Sequence, residues 1–308
     1  MTPRDSWIGA TTAILTLAGW SSVPLFLKHF SHTIDFWTSN GWRYGFSALF
    51  WAPVLAVAFQ RRALPSGLWR AALVPSIINA LGQTAFTWAH YRIDPGLLSF
   101  GLRSQLIFVA IGAYLLFPAE RRIIRTPRYL IGLVILLGGT TGVLLGNSDA
   151  LAAARLEGVA LAVASGLLFA GYGLSVRKYM AGMNAVYSFA AICQFTAIAL
   201  VIAMFALGER AGAAVLDLPA DQIALLLLSA FVGIAIGHVF YYLSIARLGV
   251  AVTAGILQLQ PFLVTLASSA LFAERLSGGQ WIGGIAAVCG AGIMLDVQRR
   301  VSRAVRAA

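Results

Sequence analysis

The chain has 308 residues, of which 59% are hydrophobic and only 11% are charged, and its mean hydropathy is +0.83. A soluble domain carries roughly a quarter charged residues, so this composition excludes a water-facing globular surface and points to repeated membrane spans. The net charge of +11 does not describe a nucleic-acid surface, because the basic residues sit in short clusters between apolar segments.

Ten apolar segments follow one another, each about long enough to cross roughly 30 Å of hydrocarbon: 7–29, 34–59, 69–91, 95–117, 127–146, 156–176, 184–208, 222–245, 250–272 and 278–297. They predict an all-α integral membrane protein with ten transmembrane helices. The first segment is followed by nine more and by no small-residue cleavage pattern, so it reads as a first span and not as a removed signal peptide. With the N-terminus placed in the cytoplasm, fifteen Lys and Arg residues fall on the inner side and five on the outer, with Arg43 and Arg103 inside spans. That asymmetry predicts a multi-pass protein of the cell inner membrane with both termini cytoplasmic. Cys193 and Cys289 lie in apolar segments and are expected to be small buried thiols. No metal-ligand spacing or disulfide framework is present, and no cofactor is expected.

Polar residues inside these spans are costly toward lipid and are expected to face inward. In the first span "LAGWSSVPLF" places Trp20 too deep for the near interface. The third span, "NALGQTAFTWAHYR", puts Asn79, Gln83, Phe86, Thr87 and His90 on one helical face. In the fourth, Arg103 lies eight residues past Pro95, about 12 Å along the helix, where an arginine needs a wet cavity or a partner. The sixth offers Phe169 and Tyr172. The eighth, "IGHVFYYLSIARLG", gathers His238, Tyr241 and Tyr242 on one face, and in the ninth Gln258 and Gln260 precede Pro261. Each polar residue has two readings: an interhelical hydrogen bond or a cavity lining. For Gln258 and Gln260 the second choice is a site or repair of a disturbed backbone.

The chain repeats itself. "LRSQLIFVAIGAYLLFPAERR" and "LQLQPFLVTLASSALFAERLS" match at an offset of 154, aligning Glu120-Arg121 with Glu274-Arg275 and Gly101 with Gly255. "IGLVILLGG" from Ile131 aligns with "IGGIAAVCG" from Ile282, setting Gly132 and Gly139 on Gly283 and Gly290. Gly82-Gln83 falls on Gly237-His238, and Trp20 and Lys28 fall near Phe169 and Arg177. Two copies, 1–148 and 149–308, are thus expected. A repeat of five spans is odd, so the second copy enters the membrane inverted, the architecture of many secondary transporters with a midplane site. Pro261 has Ile107 at its matching position, and the two halves are expected to bend differently there.

The paired "E-R" endings, the run "FYYLSIARLGVAVTAGILQLQPFLV" and the small-residue fifth and tenth spans resemble the drug/metabolite transporter superfamily, EamA type. The likeness covers essentially the whole chain. Within that superfamily the chain is similar to bacterial exporters of aromatic amino acids (YddG type), although no single residue fixes the subfamily. The resemblance implies a ten-helix basket around a central cavity, a small-molecule substrate such as an amino acid, alternating access and no enzymatic activity. It leaves cationic drugs, nucleotide-linked sugars or a non-transporting scaffold as other readings. The expected surroundings are lipid bilayer, no nucleic acid, and a monomer. All eleven acidic residues lie in tails, loops or span ends, which counts against proton-coupled export of lipophilic cations and favours uncoupled movement of a zwitterion. The expected substrate-binding residues are Trp20, Asn79, Gln83, Thr87, His90, Arg103, Phe169, Tyr172, His238, Tyr241, Tyr242 and Gln258.

Overall fold

In hydrocarbon no water satisfies backbone N–H and C=O groups, so apolar segments of this length close their hydrogen bonds within helices. The computed structural model describes residues 3–146, 153–248 and 250–307, and among these there is no strand. The helices are α1 (Pro3–Phe30), α2 (Phe36–Gln60), α3 (Leu68–His90), α4 (Pro95–Gly101), α5 (Gln105–Leu116), α6 (Arg121–Ile124), α7 (Pro127–Leu145), α8 (Ala153–Tyr179), α9 (Ala185–Leu207), α10 (Ala220–Ala230), α11 (Gly237–Leu248), α12 (Val250–Leu257), α13 (Gln260–Phe272) and α14 (Gly278–Ala307). The boundary expected between 148 and 149 lies outside the described residues.

Eight stretches of the described residues are long and apolar enough to cross a membrane: Trp7–Phe30, Pro95–Leu116, Pro127–Leu145, Arg155–Tyr179, Ala185–Leu207, Ala220–Leu248, Val252–Phe272 and Gly278–Gln298. Two of the ten expected spans, those of α2 and α3, are not among them. Helices α2 and α3 have the length, at 25 and 23 residues, but their hydropathy is lowered by Asn40 and Arg43 in one and by Asn79, Gln83 and His90 in the other.

The two halves start their second helices with one device. Asp35 Oδ1 accepts from the Trp37 and Thr38 amides, at 2.9 Å each, and Asn184 Oδ1 accepts from the Val186 and Tyr187 amides at 2.9 and 3.2 Å. These caps satisfy N–H groups that a helix start leaves without partners. Packing repeats the same relation. Helix α1 lies against α11 and α13, α8 lies against α3 and α5, α2 pairs with α9, α4 with α13, and α7 with α14. Exchanging the halves converts α1–α11 into α8–α3 and α1–α13 into α8–α5, and it returns α2–α9 and α7–α14 to themselves.

The closest seam is α7 on α14. A methyl group added at Gly132 would stand 2.8 Å from the Gly290 carbonyl oxygen, and one at Gly139 would stand 2.5 Å from the Gly283 oxygen and collide with the Ala287 amide. The same four glycines that align between the halves therefore let two backbones touch, which is how membrane helices gain van der Waals contact. Gln280, fully buried, completes the seam by donating to the Val143 carbonyl at 3.0 Å.

Three spans are interrupted at depth. A 3-10 turn over Leu102–Ser104 joins α4 to α5, a π turn over Phe231–Ile236 joins α10 to α11, and the chain breaks between α12 and α13 at Gln258–Leu259. The first and last occupy matching positions of the repeat. Both helices yield near one place, by a 3-10 turn without proline in the first half and by a break just before Pro261 in the second. The "E-R" glutamates differ more. Glu274 is buried and accepts from the Gly96 and Leu97 amides, at 2.8 Å each, capping α4. Glu120 pairs with Arg177. Cys193 is buried as expected; Cys289 is exposed, a correction whose reason is its place on the lipid side of the α7–α14 seam, one residue before Gly290.

Candidate substrate site

The deep interruptions build the centre. The π turn redirects backbone carbonyls sideways, and side chains take them up. Trp20 Nε1 donates to Gly233 O at 3.2 Å, and His238 Nδ1 lies 3.2 Å from Ile234 O. With Nδ1 holding the proton on the backbone, the His238 imidazole is fixed in tautomer and orientation. Rings then close around it. Phe189 of α9 stacks on it at 4.4 Å and 12°, while Trp20 meets it edge-on at 5.2 Å. Tyr241 lies 5.0 Å from Trp20 and 5.8 Å from Tyr242. Tyr242 also contacts Phe189, at 6.4 Å, and its hydroxyl faces Tyr172 of α8.

A second group sits at the paired breaks. Arg103 extends from the 3-10 turn across to the other half, where Nη1 donates to Gln258 Oε1 at 3.3 Å and Nη2 to Gln260 Oε1 at 3.1 Å. Its Nε reaches Ser99 O at 3.4 Å. Gln260 turns its own amide onto the Trp20 carbonyl at 2.9 Å. Trp20 thus joins the two groups, with its indole in the aromatic cluster and its backbone tied to the arginine. Among the described residues the guanidinium has amide oxygens and one carbonyl as partners and no carboxylate. A planar anion meets a guanidinium best with two parallel hydrogen bonds.

The remaining expected residues are spread more widely. Gln83 lies beside Tyr44, and its backbone oxygen accepts from Asn40 Nδ2 at 3.3 Å. Phe169 packs edge-on to Phe86 at 5.8 Å and covers Gly82. Asn79 donates to Thr196 Oγ1 of α9 at 3.2 Å, and Thr87 donates to Asn40 Oδ1 at 2.8 Å, both as buried links between helices. His90 is fully buried, with Nδ1 2.8 Å from the Phe86 carbonyl. The structure therefore brings Trp20, Tyr172, His238, Tyr241 and Tyr242 together, joins Arg103 and Gln258 to them, and sets Asn79, Thr87 and His90 into helix interfaces.

Two neighbours escaped sequence reasoning, Phe189 and Asn40. They follow the caps Asn184 and Asp35 at the same distance, so aligning the caps would have found both. Each touches a residue of its own half's polar face, Phe189 on His238 and Asn40 on Gln83.

Fold and centre together define a multi-pass helical membrane protein of two repeats that meet over a polar and aromatic core. The profile of the EamA-like transporter family matches residues 7–145 and again residues 156–295, so the chain belongs to that family, within the drug/metabolite transporter superfamily. Membership implies a small-molecule substrate and a lipid setting. A solved crystal structure shares the fold with a TM-score of 0.63 at 16% identity, over 98% of this chain and 99% of the other. A search of curated proteins finds no match.

Proposed function

We propose that this protein is a secondary transporter that exports amino acids, aromatic ones included, across a bacterial inner membrane by alternating access. The observation that carries the reading is the centre itself: a guanidinium with no carboxylate partner among the described residues, joined through Trp20 to a cluster of five aromatic rings. An amino acid with an aromatic side chain matches it part by part. Its carboxylate suits the Arg103 fork, its ring suits stacking among Trp20, Phe189, Tyr241 and Tyr242, and its ammonium suits the faces of those rings. On this reading all ten long helices cross the bilayer, the halves are inverted, and rocking one against the other exposes the centre to each side in turn. The basic clusters support cytoplasmic termini.

Counterflow into proteoliposomes preloaded with a panel of amino acids tests it. Aromatic substrates should exchange, and alanine at Gln83, Trp20, His238 or Tyr242 should lower the flux without lowering the amount of folded protein. Unchanged exchange in all four variants refutes the site.

A further inference from the structure

A second arginine, outside the centre just described, is placed in a way that packing alone does not require. Arg43 of α2 is 1% exposed and lies seven residues, about 10 Å, past the start of its helix. Its Nε donates to Ser229 Oγ of α10 at 3.0 Å, while Nη1 has no hydrogen-bond partner among the described residues. No carboxylate pairs with it there. One turn earlier on the same face stands the fully buried Ser39 hydroxyl, beside Tyr91. His90 of α3 lies within the field of Arg43, but its Nδ1 is committed to the Phe86 carbonyl and its unpartnered Nε2 stays out of hydrogen-bond reach of the guanidinium.

The obvious bland role would be to quench carbonyls freed by the π turn, since Arg43 Nη2 lies beside Gly233. Two of those carbonyls are already taken. Gly233 O accepts from Trp20 Nε1 at 3.2 Å and Ile234 O from His238 Nδ1 at 3.2 Å, while the Ser47 hydroxyl spends its one proton on the Arg43 carbonyl at 2.9 Å. A buried guanidinium with unmade hydrogen bonds is expensive, and here both halves of the chain converge on it: Ser39 and Arg43 from the first, Ser229 and Gly233 from the second. Parting the halves at this seam removes the Ser229 contact and frees a planar fork of donors. Trp20 connects the two arginines, through its carbonyl toward Arg103 and through its indole toward Gly233.

We propose that Arg43, with Ser39, is a second carboxylate-binding station, distinct from Arg103 and on the other side of Trp20, which Ser229 occupies when the halves are together and a carboxylate occupies when they part. The planar fork selects a carboxylate over a spherical anion.

The test uses purified full-length protein and benzoate labelled with 13C at the carboxylate, titrated by NMR. The wild type should bind two equivalents. Arg103→Gln and Arg43→Gln should each lose a different one by at least tenfold in affinity, and the double variant should lose both. Retention of both equivalents in Arg43→Gln, or a wild type with a single equivalent that Arg103→Gln abolishes, overturns the proposal. Should Arg43→Gln not fold, Ser229→Ala decides. It leaves Arg43 in place and removes its competitor, so the Arg43 equivalent should bind several-fold tighter; unchanged or weaker binding overturns the proposal. Equimolar sodium chloride should leave the Arg43-dependent equivalent intact, and its displacement by chloride would reduce the station to a general anion site and refute the carboxylate assignment. The readout is binding, not transport, so an absence of amino-acid counterflow beside an intact Arg43 equivalent would sink the transport reading alone.

Discussion

Adjacent glycines on α7 should respond in opposite ways to the same methyl group. Gly138 has open space where a Cβ would stand, while at Gly139 a Cβ would meet the backbone of α14 at Gly283 and Ala287. Backbone atoms cannot turn aside as a side-chain tip does, so the helices must separate at their closest point. Overpacking in a tight interior costs about 1–3 kcal/mol, and a backbone-to-backbone clash belongs at the upper end. Against this, replacing glycine by alanine within a helix gains about 0.5–1 kcal/mol. The expected result is that Gly139→Ala destabilises by about 2 kcal/mol and Gly138→Ala stabilises by up to about 1 kcal/mol. Unfolding of the purified protein in mixed micelles, followed by tryptophan fluorescence, measures both. The same contrast should hold on α14 between Gly290, which faces Leu136 and Gly132, and Gly292, which faces open space. Equal stabilities for Gly138→Ala and Gly139→Ala would show that the α7–α14 seam is not the close contact described.

Three other outcomes follow from the same geometry. Arg103→Gln removes the charge and the bonds to Gln258 and Gln260; a charge-assisted contact is worth about 1.5–3 kcal/mol, so counterflow of an amino acid should fall about 10–100-fold while folded yield is retained. Trp20→Ala removes ring contacts with His238 and Tyr241, each worth about 0.5–1.5 kcal/mol, and titration of an aromatic substrate should show at least tenfold weaker binding. Glu274→Gln leaves one of the Gly96 and Leu97 amides without its carboxylate oxygen and should destabilise the protein by about 1–3 kcal/mol in the same micelle assay, with Glu274→Asp restoring little because its shorter side chain falls back from α4.

Much of the frame is legible in the residues themselves. Apolar length gives the helices, and the repeat offsets place Gly132, Gly139, Gly283 and Gly290 where the two backbones meet. The inward faces of α1 and α11 are also legible, because a tryptophan and a histidine deep in apolar runs have nowhere cheaper to point. What cannot be read there is the partner. Asn79, Thr87 and His90 satisfy the same spacing rule as Gln83, yet each bonds to a neighbouring helix or to its own backbone, since a polar stripe meets whatever packing sets opposite it. Hydropathy also passes over α2 and α3, whose polar residues face the interior: a window average cannot tell a residue aimed at lipid from one aimed at a neighbour.

The pairing of interruption with polar side chain explains where the arginines stand. An unbroken helix spends its carbonyls internally, so a guanidinium beside it would find nothing to hold and would be excluded from the bilayer interior. The 3-10 turn at Leu102–Ser104 and the break at Gln258–Leu259 fall at one depth, and that coincidence lets Arg103 reach Ser99 O behind it and two amide side chains ahead. Arg43 stands opposite the third interruption, the π turn, but there Trp20 and His238 have taken the Gly233 and Ile234 carbonyls. The first arginine is held by the fold across the seam between halves; the second is left with a free N–H at that same seam. If binding and release of a carboxylate depend on which guanidinium is better satisfied by protein, movement between the halves shifts that balance. The sign of the shift is then set by Ser229, the one hydroxyl that Arg43 holds when the halves are together.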